Sequence, residues 1–88
     1  MEMTPEITLD GLKELMISRL NLDIEPADIL PELSLVQDLG LDSVDLLEVA
    51  IGIERTYRVK ITQNDTAAFA TLQSLHEFCR ERRLAAAR

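Results

Sequence analysis

Asp38-Leu39-Gly40-Leu41-Asp42-Ser43-Val44-Asp45-Leu46-Leu47-Glu48-Val49-Ala50-Ile51-Gly52-Ile53-Glu54 is the stretch that decides how this chain folds. Stepped at about 100° per residue from Val44, the residues Leu46, Val49, Ala50, Ile53 and Tyr57 cluster within about 140–240°. That is the core face of a helix, predicted from Ser43 to about Thr56. Val44, Leu47 and Ile51 fall within about 300–360°, on the other side. Glu48 and Arg55 border this second stripe on one flank and Glu54 on the other, with Asp45 further round. A helix in a small bundle has little reason to be apolar on both sides. Leaving three aliphatics wet forgoes on the order of 1.5–3 kcal/mol each, as an upper bound. Either another part of the chain covers the stripe, or it is an apolar docking strip rimmed by carboxylates. A strip of that kind suits a partner with an apolar groove edged by Arg and Lys. Self-association through it would bring two acidic rims together, so a monomer is expected.

The start of this helix admits two caps. Asp42 can cap the backbone with Asp45 three residues later, as in a capping box. Ser43 would then be the first helical residue, its hydroxyl outward at the positive end of the dipole. Alternatively Ser43 is itself the cap, the choice that the local sequence favours. Gly40 lets the preceding loop turn tightly, and a phosphate attached at Ser43 would be favoured by the exposed amides there.

Upstream, Thr8 caps a helix running through about Asn21, with Leu9, Leu12, Met16 and Leu20 on one apolar face. A loop follows from about Asp23 to Leu41, broken by Pro26, Pro31 and Gly40. Its aliphatics, among them Ile29, Leu30, Leu33, Leu35, Val36, Leu39 and Leu41, are too many for a solvated linker. The loop is therefore expected to lie across the bundle and help close its core, since connections this long are either functional or fixed wraps. Downstream, the brief alternation of Tyr57–Ile61 is too short for a sheet. A turn or two of helix is predicted around Asn64–Ala70, capped by Asn64 or Asp65. Thr71 then caps a last helix through about Arg83, with Leu72, Leu75 and Cys79 inward and Phe78 beside them. The fold class is all-α: a small four-helix bundle with a long first loop and a short third helix. The 88 residues allow one domain, its core at about 8–84 with a short Ala/Arg tail behind it.

Charge narrows the function. Nine Lys and Arg against 16 Asp and Glu give a net charge of −7. From Met1 to Glu54 there are thirteen carboxylates and two basic groups, a balance of −11; the remainder has three acids and seven bases, +4. Such a field repels phosphate backbones, which excludes nonspecific nucleic-acid binding. A basic partner surface is expected for the first two-thirds. Cys79, the one cysteine, allows no internal disulfide and no two-cysteine metal site within one chain. The acidic N-terminus lacks the order of a signal peptide, and no apolar run approaches membrane-spanning length. A cytoplasmic protein without membrane insertion is expected.

Catalytic constellations are missing. No Gly-x-Ser-x-Gly elbow surrounds Ser43, and His76 is the sole histidine, which leaves a serine hydrolase without support. Cys79 shares a face with Leu75 and reads as a buried, inert thiol. Asp38, Asp42 and Asp45 lack the alternating spacing and central glycine of a calcium loop. Neither catalytic nor metal-ligating residues are expected.

The stretch from Asp38 to Asp45 resembles the phosphopantetheine attachment motif of acyl carrier proteins, and the resemblance extends from about Leu9 to Phe78. It takes in the long loop, Glu48 and Glu54, Tyr57, Ile61, the short third helix and the Thr71-Leu72-Gln73-Ser74-Leu75 opening of the fourth. Asp-Ser, where peptidyl carriers have Gly-Gly-x-Ser, makes it more similar to acyl carriers. The resemblance implies a 4'-phosphopantetheine arm on Ser43, donated from coenzyme A by a magnesium-dependent phosphopantetheinyl transferase, with Asp42 as the adjacent motif acid. Acyl groups would ride the arm as thioesters, and partner enzymes would do the chemistry. Asp42, Asp45, Glu48 and Glu54 match partner-recognition acids, and Val44, Leu47 and Ile51 match apolar docking positions. The implied partners are acyl-loading, condensing and transfer enzymes with basic docking surfaces. The core faces would line a cavity for the cargo, on which Ala50 and Gly52 would bear. Arg55, Arg58, Lys60 and Thr62-Gln63-Asn64 depart from the family's acidic pattern, which points to a specialised fatty-acid-like or polyketide-like pathway. An aminoacyl or peptidyl carrier, and a non-covalent acidic adapter, are the alternatives.

Overall fold

The computed structural model describes residues 4–86; residues 1–3 and the end of the Ala/Arg tail, 87–88, lie outside the described residues. Three α-helices form the frame: α1 (Leu9–Leu20), α2 (Ser43–Tyr57) and α3 (Leu72–Ala86). Two 3-10 segments, Pro26–Asp28 and Gln63–Phe69, sit in the connections. The second of these is the short third helix of the bundle, so the all-α four-helix architecture stands.

Local chemistry accounts for each boundary. Thr8 accepts the Gly11 N–H at 3.0 Å to open α1, and Asn21 closes it in the left-handed conformation. Thr71 and Ser74 exchange backbone-to-hydroxyl bonds at 3.0 Å to open α3. The 3-10 segment corrects the expected cap. Thr62, not Asn64 or Asp65, accepts the Asn64 N–H, while Asp65 returns to the Thr62 N–H. Thr62 has the extended backbone a cap needs; Asp65 is already inside the segment and serves as the other half of its capping box.

The core is aliphatic. Leu12 and Met16 from α1, Val49 and Ile53 from α2, and Leu72, Leu75 and Cys79 from α3 are fully buried. The long loop contributes Ile29, Leu35 and Leu41 to the same cluster, as its composition predicts. Its backbone is stitched in place: the Leu35 N–H donates to the Ala70 carbonyl, the Gln73 N–H to the Pro31 carbonyl, and the Leu41 N–H to the Leu35 carbonyl. Among the described residues no strand forms, only an isolated Ser34–Thr71 bridge. Nor is any described helix long and apolar enough to cross a membrane.

Candidate functional site at the start of the second helix

The site is assembled by the loop before α2. Asp38 accepts the Ser34 N–H at 2.7 Å, and the Ser34 hydroxyl accepts the Gln37 N–H at 3.0 Å, which closes the loop on itself. Gly40 follows with φ +71°, a conformation side chains rarely adopt. Leu41 then drops into the core and fixes where α2 begins. Nothing in the motif itself marks Asp38 for this role; its position four residues after Ser34 is the available signal.

Asp42, and not Ser43, is the cap. Its carboxylate accepts the Asp45 N–H at 2.9 Å, and the Asp45 carboxylate accepts the Asp42 N–H at 3.1 Å. The preference for Ser43 drawn from local sequence is thereby corrected: Asp42 has the extended backbone of a cap, and Asp45 stands where it can reciprocate. Ser43 is left as the first helical residue, exposed, and among the described residues nothing hydrogen-bonds its hydroxyl. It stands at the positive end of the fifteen-residue α2.

The second apolar stripe is uncovered at its front. Val44 is 67% exposed and Leu47 60%, so the long loop does not cover them. Ile51 is half-buried. The acids differ in their ties. Asp45 is half-buried in the capping box, and Glu54 is exposed. Glu48 accepts a hydrogen bond from the Arg19 guanidinium of α1 at 3.2 Å.

Beside Ser43 lies a half-open groove of about 400 Å³. One wall is α2, with Val44, Leu46, Leu47 and Ala50; the other is Ile61, Thr62, Thr66 and Phe69. The space is a half-open groove between these two elements. Ala50 lines it. Gly52 does not: it faces Arg19 and Leu15, where a Cβ would collide with the Arg19 side chain. Thr62 and Thr66 were missed as lining because nothing in a helical period joins residues 43–50 to 61–69.

The far wall is latched. The Asp65 carboxylate accepts from the Thr62 N–H and hydroxyl, each at 2.9 Å, and from Arg82 at 3.2 Å. Those Thr62 bonds, with Arg82 assisting, hold the Asp65 carboxyl below its usual range. Arg82 also donates to the Lys60 carbonyl and stacks over Phe78, 4.6 Å from its centroid. Elsewhere, burial pushes the Cys79 thiol up to about 11, and His76 packs with its ring nitrogen 3.2 Å from the Ile7 carbonyl.

An exposed, unengaged serine at the first position of a helix, beside an apolar strip and groove, has the chemistry to take a covalently attached phosphate ester. Comparison with known proteins agrees with that class. Residues 10–79 match the family model described as a phosphopantetheine attachment site. The anthracycline acyl carrier protein DpsG of Streptomyces peucetius is 39% identical over 82 residues, covering 93% of this chain and 98% of that protein. The meromycolate extension acyl carrier protein of Mycobacterium tuberculosis is 38% identical over 72 residues, 82% of this chain and 61% of that protein. An acyl carrier protein of Wolinella succinogenes is 30% identical over 63 residues, 72% and 80% of the two chains. The match thus spans less than two-thirds of the mycobacterial relative's length. The chain belongs to the acyl carrier protein family, whose prosthetic group is 4'-phosphopantetheine. The family carries intermediates and does not itself catalyse; its members work with phosphopantetheinyl transferases and synthase enzymes.

Proposed function

We propose that this protein is a discrete acyl carrier, loaded with 4'-phosphopantetheine on Ser43 and serving a specialised fatty-acid-like or polyketide-like pathway. The observation that carries the reading is the division of labour at the start of α2. Asp42 and Asp45 satisfy the helix terminus between themselves, so the Ser43 hydroxyl stays free to form the phosphodiester. The fit is chemical as well as steric, because the first-turn amides and the helix dipole favour a phosphate there. When attached, the arm supplies a thiol to which acyl groups are esterified. The chain's own residues bind, orient and present; partner enzymes make and break the bonds. The specialised pathway is supported by the similarity to an anthracycline carrier and by the non-acidic run from Arg55 to Asn64.

The whole chain is read as one carrier domain, with its core at about 8–84, working as a monomer in the cytoplasm. Val44, Leu47 and Ile51 form the apolar part of the docking face, and Asp45, Glu48 and Glu54 the acidic part. Asp42 is the motif acid beside the arm. Partners are the transferase and acyl-loading, condensing and transfer enzymes with basic surfaces. Docking is weak and salt-sensitive, since exposed ion pairs contribute little each and are screened. That suits a shuttle.

Incubation with acyl-coenzyme A, magnesium and a broad-specificity phosphopantetheinyl transferase tests the assignment. Wild type should gain one acyl-phosphopantetheine whose acyl group hydroxylamine releases, and Ser43→Ala, equally folded, should gain none. A folded wild type that stays unmodified sinks the carrier reading.

A further inference from the structure

Arg19 lies in the last turn of α1 and reaches across to α2, where its guanidinium holds Glu48 at 3.2 Å. The side chains are 31% and 45% exposed, so the pair stands at the surface and not in the core. The approach is built from both sides. Gly52, one turn further along α2, is buried under the Arg19 side chain, and a Cβ there would collide with its Cδ. A glycine inside a helix sacrifices about 1 kcal/mol relative to alanine. Here it lets the arginine lie flat against α2 and deliver its charge to Glu48. The result is a cation set among the acids of an otherwise negative face.

We infer that Arg19 is a specificity-determining residue of the docking face: by occupying Glu48, it weakens partners whose basic group must take that carboxylate. This rests on the carrier reading above and deepens it. A partner Lys or Arg aimed at Glu48 meets a competing guanidinium, which it must displace against like-charge repulsion. A partner that leaves Glu48 to Arg19, and engages Asp45, Glu54 and the Val44–Leu47 strip, meets no such obstacle. Discrimination against wrong partners by an introduced repulsion is the means available to a small surface. An exposed pair sets the scale of the effect at about two- to fivefold in affinity.

The test measures KM and kcat for the carrier with a broad-specificity transferase at saturating coenzyme A and low salt. Arg19→Met keeps the aliphatic stem and removes the charge; it should lower KM about threefold with kcat unchanged. Arg19→Lys should return KM toward the wild-type value. Glu48→Gln should raise KM in both backgrounds but more in Arg19→Met, by about threefold there, because no guanidinium then competes for the carboxylate. Lys13→Met, which removes a charge from the same helix away from Glu48, should leave KM unchanged. Gly52→Ala, if folded by circular dichroism, should reproduce the fall seen with Arg19→Met. An unchanged KM in Arg19→Met, or equal effects of Glu48→Gln in both backgrounds, overturns the inference. If every variant is modified at the same KM, the carrier reading stands and Arg19 is merely a bridge. If none is modified, the carrier reading itself has failed.

Discussion

Asp42 and Ser43 are both good helix caps, and the structure gives the job to the first so that the second stays free. Asp42→Ala removes the acceptor for the Asp45 N–H and should cost about 1 kcal/mol. For a chain of this size that is a fall in Tm of about 4–8 °C by calorimetry. Asp42→Asn keeps an oxygen in the cap and should lose little stability. An equal loss for both would mean that charge, not the hydrogen bond, holds the helix start. The Cys79 thiol gives a second test at this scale. Fully buried and pushed up to about 11, it should be silent toward a thiol reagent at neutral pH. Native apo protein should therefore titrate no thiol, and native protein bearing the arm should titrate one. Denaturation should add one in each case. Rapid reaction of native apo protein would contradict the packing around α3.

Among the elements, α2 was legible because its sequence carries two separate helical stripes, and both faces lie where the period put them. Val49 and Ile53 are buried, and Val44 and Leu47 are wet. The 3-10 segment was legible as a short helix but not in its cap, because Asn64 and Asp65 are by residue type as good caps as Thr62. The groove was not legible at all. Its walls come from residues 43–50 and 61–69, and only tertiary packing brings them together. The Arg19–Glu48 pair, 29 residues apart, was hidden for the same reason. Asp65 and Arg82 decide how firmly the far wall is held. Because the Asp65 carboxyl is held below its usual 3.8, its contribution to stability is present above about pH 4. It is lost as pH falls further, through the lowered value. Amide exchange of Gln63–Phe69 should therefore accelerate more between about pH 5 and 3, after correction for intrinsic rates, in wild type than in Asp65→Asn. Identical profiles would show that the latch does not hold the segment.

At the scale of the molecule, small size and lopsided charge act together. The described chain measures 36 × 26 × 21 Å, small enough to present one helix end to a larger enzyme's surface. The −11 up to Glu54 is concentrated in part along α2, while the +4 that follows includes Arg82, spent on the latch. Steering by such a field fades when the Debye length shrinks from about 10 Å at 0.1 M salt to about 3 Å at 1 M. KM for the transferase should accordingly rise with salt while kcat holds. Leu47→Asp should raise KM at every salt concentration with little change in Tm, since the side chain is already exposed. A salt-independent KM would remove the acidic face from the docking account.

The most direct measurement locates the arm. The chain has four serines, Ser18, Ser34, Ser43 and Ser74. After treatment with coenzyme A, magnesium and the transferase, proteolysis and tandem mass spectrometry should find phosphopantetheine on the peptide containing Ser43 and on no other. Modification of any other serine, or of a Ser43→Ala chain, would contradict the assignment of the free hydroxyl at the start of α2 as the site of attachment.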